Sequence, residues 1–425
     1  MAEARAFQPA AGPFEATVTV PGDKSLGHRA LVLAALAEGE SVVGNLPPGQ
    51  DVESTRAATE LLGVEYKGNR ITSPGRPNWS APSGPIDCGN SGTTMRLLTG
   101  AIAGSCFEAT LVGDFSLMRR PMRRLVPPLS ALGADITVAT SGTPPIEIRG
   151  VGLRGASVTI PMASAQVRTA VALAALAAVG PTQIESPPGF RDHTERWLAQ
   201  LGLGRIESPT TFIVAPKPVP PLDLSLPADP SSAALLWAAA AVTPGSRVVT
   251  PGISLNPGRT GFLEVLELMG ARVMVEPGAP IMGDPVGTVS VESGRLSGVE
   301  VAGELVVRSL DELPLLAIVA AAAEGPTVVA EATEARAKES DRIASSVELA
   351  RVAGAEARAE PDGFVVTPKQ RKPGPGRIDA AGDHRVAMAA AIAPLIRGST
   401  VTVAGFEAAD VSWPDFGDAL EGMWL

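Results

Sequence analysis

Hydrophobic positions along the chain form short, almost uninterrupted runs, and each run follows a polar or charged entry. The stretch PGDKSLGHRALVLAALAEGE shows the pattern, with cations ahead of the aliphatic run LVLAALA. Such a run, closed by Gly or Pro and followed by β-branched residues, predicts a buried helix and then a strand. Six entries of this kind lie 66 to 80 residues apart, at Ser25, Ser91, Ser164, Ser231, Asp311 and Asp383. The chain is therefore predicted to contain six copies of one structural unit.

Each unit holds a second, amphipathic helix that closes on a glycine before the next strand. Five segments show this pattern: TRAATELLG, RRLVPPLSALG, TERWLAQLG, FLEVLELMG and SSVELARVAG. The alternation of helix and strand predicts an α/β fold with the order βαββαβ in each unit. A unit of this length is larger than the usual solenoid repeat and is closer to a small subdomain.

A division into two domains follows from the proline content. The densest proline cluster, residues 215–232, lies between the third and the fourth unit and predicts a boundary there. An additional strand is predicted at residues 14–20, and the sixth unit stops before its closing strand, so we expect the N-terminal strand to complete the domain of units four to six. The prediction is a first domain of residues 1–20 and 229–425 and a second domain of residues 21–228.

Composition and charge exclude several classes of protein. Of the 425 residues, 45% are hydrophobic and 4% aromatic, which suits packed domains made of many short elements. Cys88 and Cys106 are too few for a disulfide framework and indicate a cytoplasmic setting. The N-terminus lacks a signal-peptide pattern, and the apolar runs are shorter than the roughly 20 residues that cross a bilayer, so we expect no membrane association. The net charge of −10 argues against a nucleic-acid partner.

The polar residues at the helix entries are the candidate functional groups. A helix N-terminus presents N–H groups and a partial positive charge, so it attracts anions, and a nearby Lys or Arg strengthens that attraction. The groups at the entries and adjoining turns are Lys24, Ser25, Arg29, Asn90, Gly92, Arg96, Arg120, Ser164, Gln166, Arg168, Arg191, Asp311, Glu312, Lys338, Glu339, Arg342, Asp383, His384 and Arg385. Entries that converge on one cleft would bind a ligand with several phosphates or carboxylates.

Several candidates also have an ordinary structural explanation. These alternatives are N-caps at Ser25, Ser164 and Ser231, a solvated helix position for Arg168, packing roles for His28 and His384, and a charged surface turn at Lys338 and Glu339. No spacing of His, Asp or Glu predicts a metal site, and neither a GxxxxGK[ST] loop nor a GxSxG turn is present.

Eight motifs in order, from Lys24 to Met388, connect the chain with a known family. They are PGDKS with HRA, GNSGTTMR, GDFSLMRRPM, SAQVR, PGFRDHTE, LDELP, AKESDR and GDHRVAM. On these residues the chain resembles the 5-enolpyruvylshikimate-3-phosphate (EPSP) synthase family. The resemblance implies two domains of three units each, an active site in the inter-domain cleft, a monomer, and no metal or other cofactor.

The resemblance also implies a reaction and its substrates. The family transfers the enolpyruvyl group of phosphoenolpyruvate to the 5-hydroxyl of shikimate 3-phosphate, in the pathway to the aromatic amino acids, and is the target of the herbicide glyphosate. The implied contacts to shikimate 3-phosphate are Lys24, Ser25, Arg29, Ser164, Ala165, Gln166, Arg191, Asp311 and Lys338. Those to phosphoenolpyruvate are Lys24, Asn90, Gly92, Arg120, Gln166, Arg342 and Arg385. Guanidinium groups suit such anions because they donate paired hydrogen bonds.

Two proton transfers are required, one from the attacking hydroxyl and one to the methylene carbon of phosphoenolpyruvate. By resemblance the candidates are Asp311 as the base and Glu339 as the donor to carbon. Lys24 and Lys338 would tune these carboxyl groups. A carboxylic acid that donates at neutral pH needs a raised pKa, whereas nearby cations lower it.

Four positions depart from the common family pattern, namely Leu26, Gly27, Leu97 and Val411. Val411 stands where many members have a Lys that contacts phosphoenolpyruvate, so we expect altered affinity with the acid, the base and the arginines intact. Two alternatives remain open at this point. One is the enolpyruvyl transferase that acts on UDP-N-acetylglucosamine, and the other is a non-catalytic anion-binding protein with the same fold.

Overall fold

The computed structural model describes residues 4–189, 191–369 and 374–424. The chain forms two compact units. Unit 1 comprises the described residues of Met1–Pro21, Ala228–Ala279 and Pro285–Leu425, and unit 2 comprises those of Gly22–Pro227 and Pro280–Asp284. The sequence does not anticipate the excursion of Pro280–Asp284 into unit 2.

Short strands and helices alternate along the whole chain. The strands are β1 (Ala4–Phe7), β2 (Glu15–Thr17), β3 (Glu38–Gly44), β4 (Glu65–Lys67), β5 (Arg70–Pro74), β6 (Ile86–Asp87), β7 (Glu108–Val112), β8 (Asp135–Val138), β9 (Ile146–Arg149), β10 (Ser157–Thr159), β11 (Thr182–Glu185), β12 (Gly204–Ile206), β13 (Thr211–Val214), β14 (Asp223–Ser225), β15 (Arg247–Ser254), β16 (Arg272–Pro277), β17 (Val286–Glu292), β18 (Glu300–Val301), β19 (Thr327–Val329), β20 (Glu356–Glu360), β21 (Gly363–Thr367), β22 (Gly376–Asp379) and β23 (Val401–Ala404). The helices are α1 (Lys24–Leu36), α2 (Gln50–Glu60), α3 (Gly92–Ala103), α4 (Val126–Ser130), α5 (Ala165–Ala175), α6 (His193–Gln200), α7 (Pro230–Val242), α8 (Gly261–Met269), α9 (Gly303–Arg308), α10 (Leu313–Ala321), α11 (Arg342–Ala353), α12 (His384–Ala390), α13 (Ala393–Arg397) and α14 (Phe416–Glu421).

The predicted α/β class is confirmed, but the order of elements within a repeat differs from the expected one. In the second repeat the chain runs β6, α3, β7, α4, β8, β9, and the sheet order is β6-β7-β9-β8. A parallel pair needs a crossover such as a helix, whereas an antiparallel pair needs only a turn. The order is therefore βαβαββ and not βαββαβ, because one strand separates the two helices and a hairpin follows.

The first sheet of each unit takes its outer strand from a distant part of the chain. In unit 2, β14 pairs in parallel with β3, so the proline-rich segment returns to the first repeat rather than serving only as a linker. In unit 1, β2 pairs in parallel with β15 of the fourth repeat. The strand predicted at residues 14–20 thus joins the sheet of the fourth repeat, and β1 pairs antiparallel with β23 of the sixth repeat.

The glycines that close the second helices have the left-handed backbone conformation that favours this residue. Gly63, Gly133, Gly202, Gly270 and Gly354 have φ values of 96°, 89°, 69°, 107° and 106°. A left-handed residue just after a helix ends it and redirects the chain, and glycine adopts this conformation without a Cβ penalty. These positions confirm the predicted helix–glycine–strand pattern.

Each unit has its own hydrophobic core around helices that are buried on nearly every face. All residues of α7 are buried, as are those of α10 from Leu313 to Ala320. The run LVLAALA lies in α1 and its C-cap and is buried as well. The apolar runs are thus core helices, as predicted. Within the described ranges, no helix combines the length and the hydrophobicity needed to cross a bilayer.

Candidate active site

The N-terminus of α1 in unit 2 is capped by an aspartate. Asp23 Oδ1 accepts a hydrogen bond from the backbone N–H of Leu26 at 2.9 Å. Ser25 is therefore not the N-cap, and it lies in the first turn of the helix instead. Lys24 Nζ donates to Asp51 Oδ2 at 3.0 Å, which anchors this side chain to α2.

Arg29, one turn further along α1, is a buried cation whose hydrogen-bond partners are neutral oxygens. Its Nε donates to Thr194 Oγ1 at 2.8 Å, its Nη2 to Thr169 Oγ1 at 3.1 Å and its Nη1 to the carbonyl of Ser25 at 2.8 Å. Only 4% of Arg29 is exposed, and burial lowers its pKa to about 10. Because a buried charge is costly, this site favours the approach of an anion.

His28, the neighbouring residue of α1, is part of a hydroxyl chain. Its Nδ1 lies 2.6 Å from Thr55 Oγ1, which contacts Thr94 Oγ1, and Thr94 in turn donates to Ser91 Oγ. Burial, together with Lys24 and Arg29, holds the pKa of His28 well below its usual value. A neutral, packed histidine agrees with the structural alternative given for this residue.

A second group of candidates lies at the N-terminus of α3. Asn90 Oδ1 accepts a hydrogen bond from Arg120 Nη2 at 2.5 Å, and Asn90 Nδ2 donates to Asp114 Oδ2 at 2.8 Å. Asp114 Oδ1 also accepts from the backbone N–H of Leu117 at 2.8 Å. The carboxylate of Asp114 thus orients the amide of Asn90 so that its oxygen faces Arg120.

Gly92 lies beneath two guanidinium groups. A Cβ at this position would lie 2.9 Å from Arg96 Nη1 and 3.3 Å from Arg120 Nη1. Arg96 Nη1 donates to Gln166 Oε1, and Gln166 Nε2 donates to Thr93 Oγ1 at 2.8 Å. The lack of a side chain at Gly92 therefore lets both guanidinium groups approach the start of α3, and we call this cationic region the pocket at Gly92. Arg96 belongs to this pocket, although the family resemblance gives it no role.

Ser164 is the N-cap of α5, and its Oγ accepts from the backbone N–H of Val167 at 3.5 Å. The helix begins at Ala165, so the implied backbone contact of this residue lies at a helix N-terminus. Arg191 immediately precedes the N-cap of α6, and it is close enough to Arg29 to lower the pKa of that guanidinium. Phe190 of the PGFRDHTE motif lies outside the described residues.

The expectation of a solvated Arg168 is wrong. Its Nε pairs with Glu195 Oε1 at 2.6 Å, its Nη1 donates to Ser186 Oγ at 2.7 Å, and its side chain is 2% exposed. The partner carboxylate lies on α6, and only the tertiary fold brings it to α5. This ion pair ties the two helices together.

The acid and base candidates meet in unit 1 at one guanidinium. Arg342 Nη1 lies 3.0 Å from Asp311 Oδ1, Arg342 Nη2 lies 2.6 Å from Glu339 Oε2, and Arg342 Nε lies 2.9 Å from Asp383 Oδ2. Lys338 Nζ also contacts Asp311 Oδ1 at 3.3 Å. Burial alone would lower the pKa of Arg342, but the three carboxylates outweigh it and raise that pKa above its usual value. The surface-turn alternative for Lys338 and Glu339 does not account for these contacts.

Arg385 is paired with a different carboxylate. Its Nη1 lies 3.2 Å from Glu312 Oε1, the same oxygen that accepts from Ser231 Oγ at 2.5 Å. Asp229 caps α7 through the backbone N–H of Ser231 at 2.7 Å, so the N-cap reading of Ser231 is wrong. His384 is 3% exposed, which agrees with the packing role considered for it.

The departures from the family pattern have distinct surroundings. Leu26 and Leu97 are fully buried in the core of unit 2. A Cβ at Gly27 would lie 2.9 Å from Pro47 Cδ, so the close approach of Pro47 requires glycine there. Val411 is the last residue of a 3₁₀ turn, Phe406–Val411, that packs against α12. Its side chain is uncharged, unlike the Lys that many family members have at this position.

The fold is that of the enolpyruvyl transferases. The crystal structure of the enolpyruvyl transferase NikO from Streptomyces tendae matches it with a TM-score of 0.77 at 18% identity, covering 100% of this chain and 98% of that one. The EPSP synthase of Acinetobacter baumannii matches with a TM-score of 0.86 at 35% identity over 99% of this chain and 98% of that one.

Sequence relatives narrow the class to one family. The family model of EPSP synthase (3-phosphoshikimate 1-carboxyvinyltransferase) matches residues 9–420. The 3-phosphoshikimate 1-carboxyvinyltransferase of Herpetosiphon aurantiacus is 41% identical over 408 residues, and that of Roseiflexus sp. is 42% identical over 409, each covering 94% of both chains. The chain belongs to the EPSP synthase family, which confirms the resemblance predicted from its motifs.

Proposed function

We propose that this protein transfers the enolpyruvyl group of phosphoenolpyruvate to the 5-hydroxyl of shikimate 3-phosphate, with release of phosphate. The observation that carries the proposal is the convergence of Asp311 and Glu339 on Arg342. These two carboxyl groups are the acid and the base that the reaction requires, and one guanidinium fixes both of them. A non-catalytic anion-binding protein has no need for such an arrangement.

Unit 2 supplies most of the proposed binding contacts. Arg29 and Arg191 provide positive charge for shikimate 3-phosphate, and the N-terminus of α5 provides the N–H groups that favour an anion. Arg120 and the pocket at Gly92 provide it for phosphoenolpyruvate. Because Asp114 fixes the amide of Asn90, the pocket is organised before the ligand arrives.

Unit 1 supplies the proposed proton transfers. Lys338 and Arg342 favour the ionised form of Asp311, which suits a base that takes the proton of the 5-hydroxyl as its oxygen attacks C2 of phosphoenolpyruvate. Glu339 gives a proton to C3, which becomes a methyl group in the tetrahedral adduct. Loss of a methyl proton and of phosphate then forms the enol ether.

We further propose that the protein acts in the cytoplasm as a monomer on these small molecules, and that glyphosate competes for the phosphoenolpyruvate pocket. Cys88 and Cys106 are free thiols, as a reducing compartment requires. The enolpyruvyl transferase of UDP-N-acetylglucosamine shares the fold class, but no observation on this chain favours that acceptor.

The decisive experiment measures phosphate release from phosphoenolpyruvate with one acceptor at a time. We expect release with shikimate 3-phosphate and none with UDP-N-acetylglucosamine. The Asp311→Ala variant serves as the control for contaminating phosphatases. Phosphate release with UDP-N-acetylglucosamine alone would show that the protein is the enolpyruvyl transferase of that acceptor. Release with neither acceptor would contradict a catalytic role.

A further inference from the structure

A buried hydrogen-bond relay leads from the N-terminus of α7 to Arg385 within unit 1. Arg259 Nη2 donates to Asp229 Oδ1 at 2.7 Å and to Ser231 Oγ at 2.8 Å. Ser231 Oγ is 2.5 Å from Glu312 Oε1, and Arg385 Nη1 is 3.2 Å from the same oxygen. The relay joins residues of the fourth, fifth and sixth repeats.

The direction of each hydrogen bond in the relay is determined by the chemistry of its members. Arg259 can only donate, so the oxygen of Ser231 accepts from it. The single hydroxyl hydrogen of Ser231 then points to Glu312, which accepts it. Glu312 Oε1 also accepts from Arg385, so one carboxylate oxygen links the serine to the guanidinium.

Burial makes this arrangement rigid. Glu312, Ser231 and Arg259 are each 4% exposed, and the side chain of Arg385 is 12% exposed. A buried carboxylate that loses a partner leaves a costly unpaired charge, so neither Glu312 nor Arg385 can turn away cheaply. The guanidinium of Arg385 therefore keeps one orientation without a ligand.

Glu312 differs in this respect from its neighbour in the sequence. Asp311 contacts Lys338 and Arg342, which belong to the cluster that holds the proposed acid and base. Glu312 contacts Ser231 and Arg385 instead. Two adjacent carboxylates thus serve two separate sets of side chains.

We infer that Glu312 is a positioning residue, which holds the guanidinium of Arg385 in the orientation that binds phosphoenolpyruvate. The inference rests on the proposed function, because it takes phosphoenolpyruvate as the ligand of Arg385. Glu312 acts through Arg385 and contacts neither substrate. Ser231 and Arg259 support it by fixing the carboxylate.

The test compares steady-state kinetics of Glu312→Ala, Glu312→Gln and Ser231→Ala. We expect Glu312→Ala to raise KM for phosphoenolpyruvate about tenfold or more, since a hydrogen bond to a charged group is lost, and to leave KM for shikimate 3-phosphate within about twofold. Glu312→Gln keeps an oxygen that accepts from Ser231 and Arg385, so it should stay within about threefold of the parent protein. The KM of Ser231→Ala for phosphoenolpyruvate should lie between the values of the two Glu312 variants.

Glu195→Ala is a matched control, because Glu195 is another buried carboxylate paired with an arginine, 4% exposed and in contact with Arg168. It should change KM for phosphoenolpyruvate by less than about twofold, even where it lowers Tm as much as Glu312→Ala does. Equal changes in the two KM values of Glu312→Ala, or a Glu312→Gln variant as impaired as Glu312→Ala, would overturn the inference. If Glu312→Ala does not fold, the Glu312→Gln and Ser231→Ala values decide.

A second readout removes turnover from the comparison. Phosphoenolpyruvate is titrated by calorimetry, with shikimate 3-phosphate present, into Asp311→Ala and into Asp311→Ala with Glu312→Ala. We expect affinity to be about tenfold weaker in the double variant. If the two variants bind phosphoenolpyruvate equally well and the unmodified protein is active, only the role of Glu312 is contradicted. If the unmodified protein is inactive, the proposed function is contradicted.

Discussion

Arg29 in unit 2 and Arg342 in unit 1 are both buried, yet their hydrogen-bond partners differ in charge. Arg29 donates to two hydroxyls and a carbonyl, and burial lowers its pKa to about 10. Arg342 contacts three carboxylates, which raise its pKa. A buried cation with neutral partners is stabilised by an incoming anion, whereas a cation among carboxylates orients those acids. The comparison supports the proposal that unit 2 supplies most of the substrate-binding contacts and unit 1 the proton transfers.

Removal of the proposed base should give the largest effect. We expect Asp311→Ala to lower kcat about 10²–10⁴-fold, because it removes the group that takes the hydroxyl proton. Substrate binding should weaken far less, since Lys338 and Arg342 remain to attract the anions. Steady-state phosphate release measures both quantities, with Asp311→Asn as the isosteric control. A variant with normal kcat and raised KM would place the proton chemistry elsewhere.

Truncation of Arg29 should mainly affect binding. Arg29→Ala is expected to raise KM for shikimate 3-phosphate about tenfold to a hundredfold, because a charged hydrogen-bond donor is lost. Arg29→Lys should recover only part of this, since one ammonium cannot reproduce the contacts to Thr194, Thr169 and the Ser25 carbonyl. Thermal melts confirm that the variants are folded. If Arg29→Ala lowers kcat and leaves KM for shikimate 3-phosphate unchanged, the proposed division between binding in unit 2 and proton transfer in unit 1 is contradicted.

Gly92→Ala tests the pocket at Gly92. The new methyl group would meet the flexible ends of Arg96 and Arg120, which can shift, so the fold should tolerate it. We expect glyphosate inhibition to weaken at least about tenfold more than KM for phosphoenolpyruvate rises, because the longer inhibitor needs more of the space. Gly152→Ala is the control, since a Cβ there has no neighbour within 4 Å. Equal losses for inhibitor and substrate would make Gly92 only a turn residue.

The smallest effect concerns stability and pH. The pKa of His28 is well below its usual value in the folded protein, so between pH 7.5 and 5.5 the unfolded chain gains a proton that the folded protein does not. His28 contributes to the free energy of unfolding above the pKa that it has in the unfolded chain. This contribution decreases as the pH falls, by about 1 kcal/mol over that interval. His28→Asn should therefore show a shallower fall in the free energy of unfolding. Parallel curves for the two proteins would show that His28 is protonated when folded.

The sequence predicts local features of this protein better than contacts between distant segments. The closing glycines, such as Gly270, are recognisable because helix ends have a local signature. The strand at residues 14–20 is recognisable as a strand, but its partner β15 is chosen by packing across more than 200 residues of chain. For the same reason the pattern around Arg168 suggests a solvated position, because Glu195 approaches it only in the folded protein.

The sequence predicts a candidate site residue where that residue is part of a recognisable motif. It does not predict which residues that side chain contacts in the folded protein. Asp311, Glu339 and Arg342 come from two motifs, but only the fold brings them together. The cap of α1 is a subtler case, since both Asp23 and Ser25 have capping side chains and the backbone geometry selects Asp23. One feature of the sequence could have indicated Arg96. It lies four residues after Gly92 on α3, and residues at this spacing share a face of the helix.

The pairing of β1 with β23 has a consequence for how the chain is made. Ala4 lies opposite Ala404, so β1 has no partner until about 400 further residues have been synthesised. Residues 22–227, by contrast, contain most of unit 2 without interruption, so that unit can begin to fold while unit 1 is still being translated. While the residues between β1 and β23 are synthesised, β1 must therefore remain unpaired and open to chaperones.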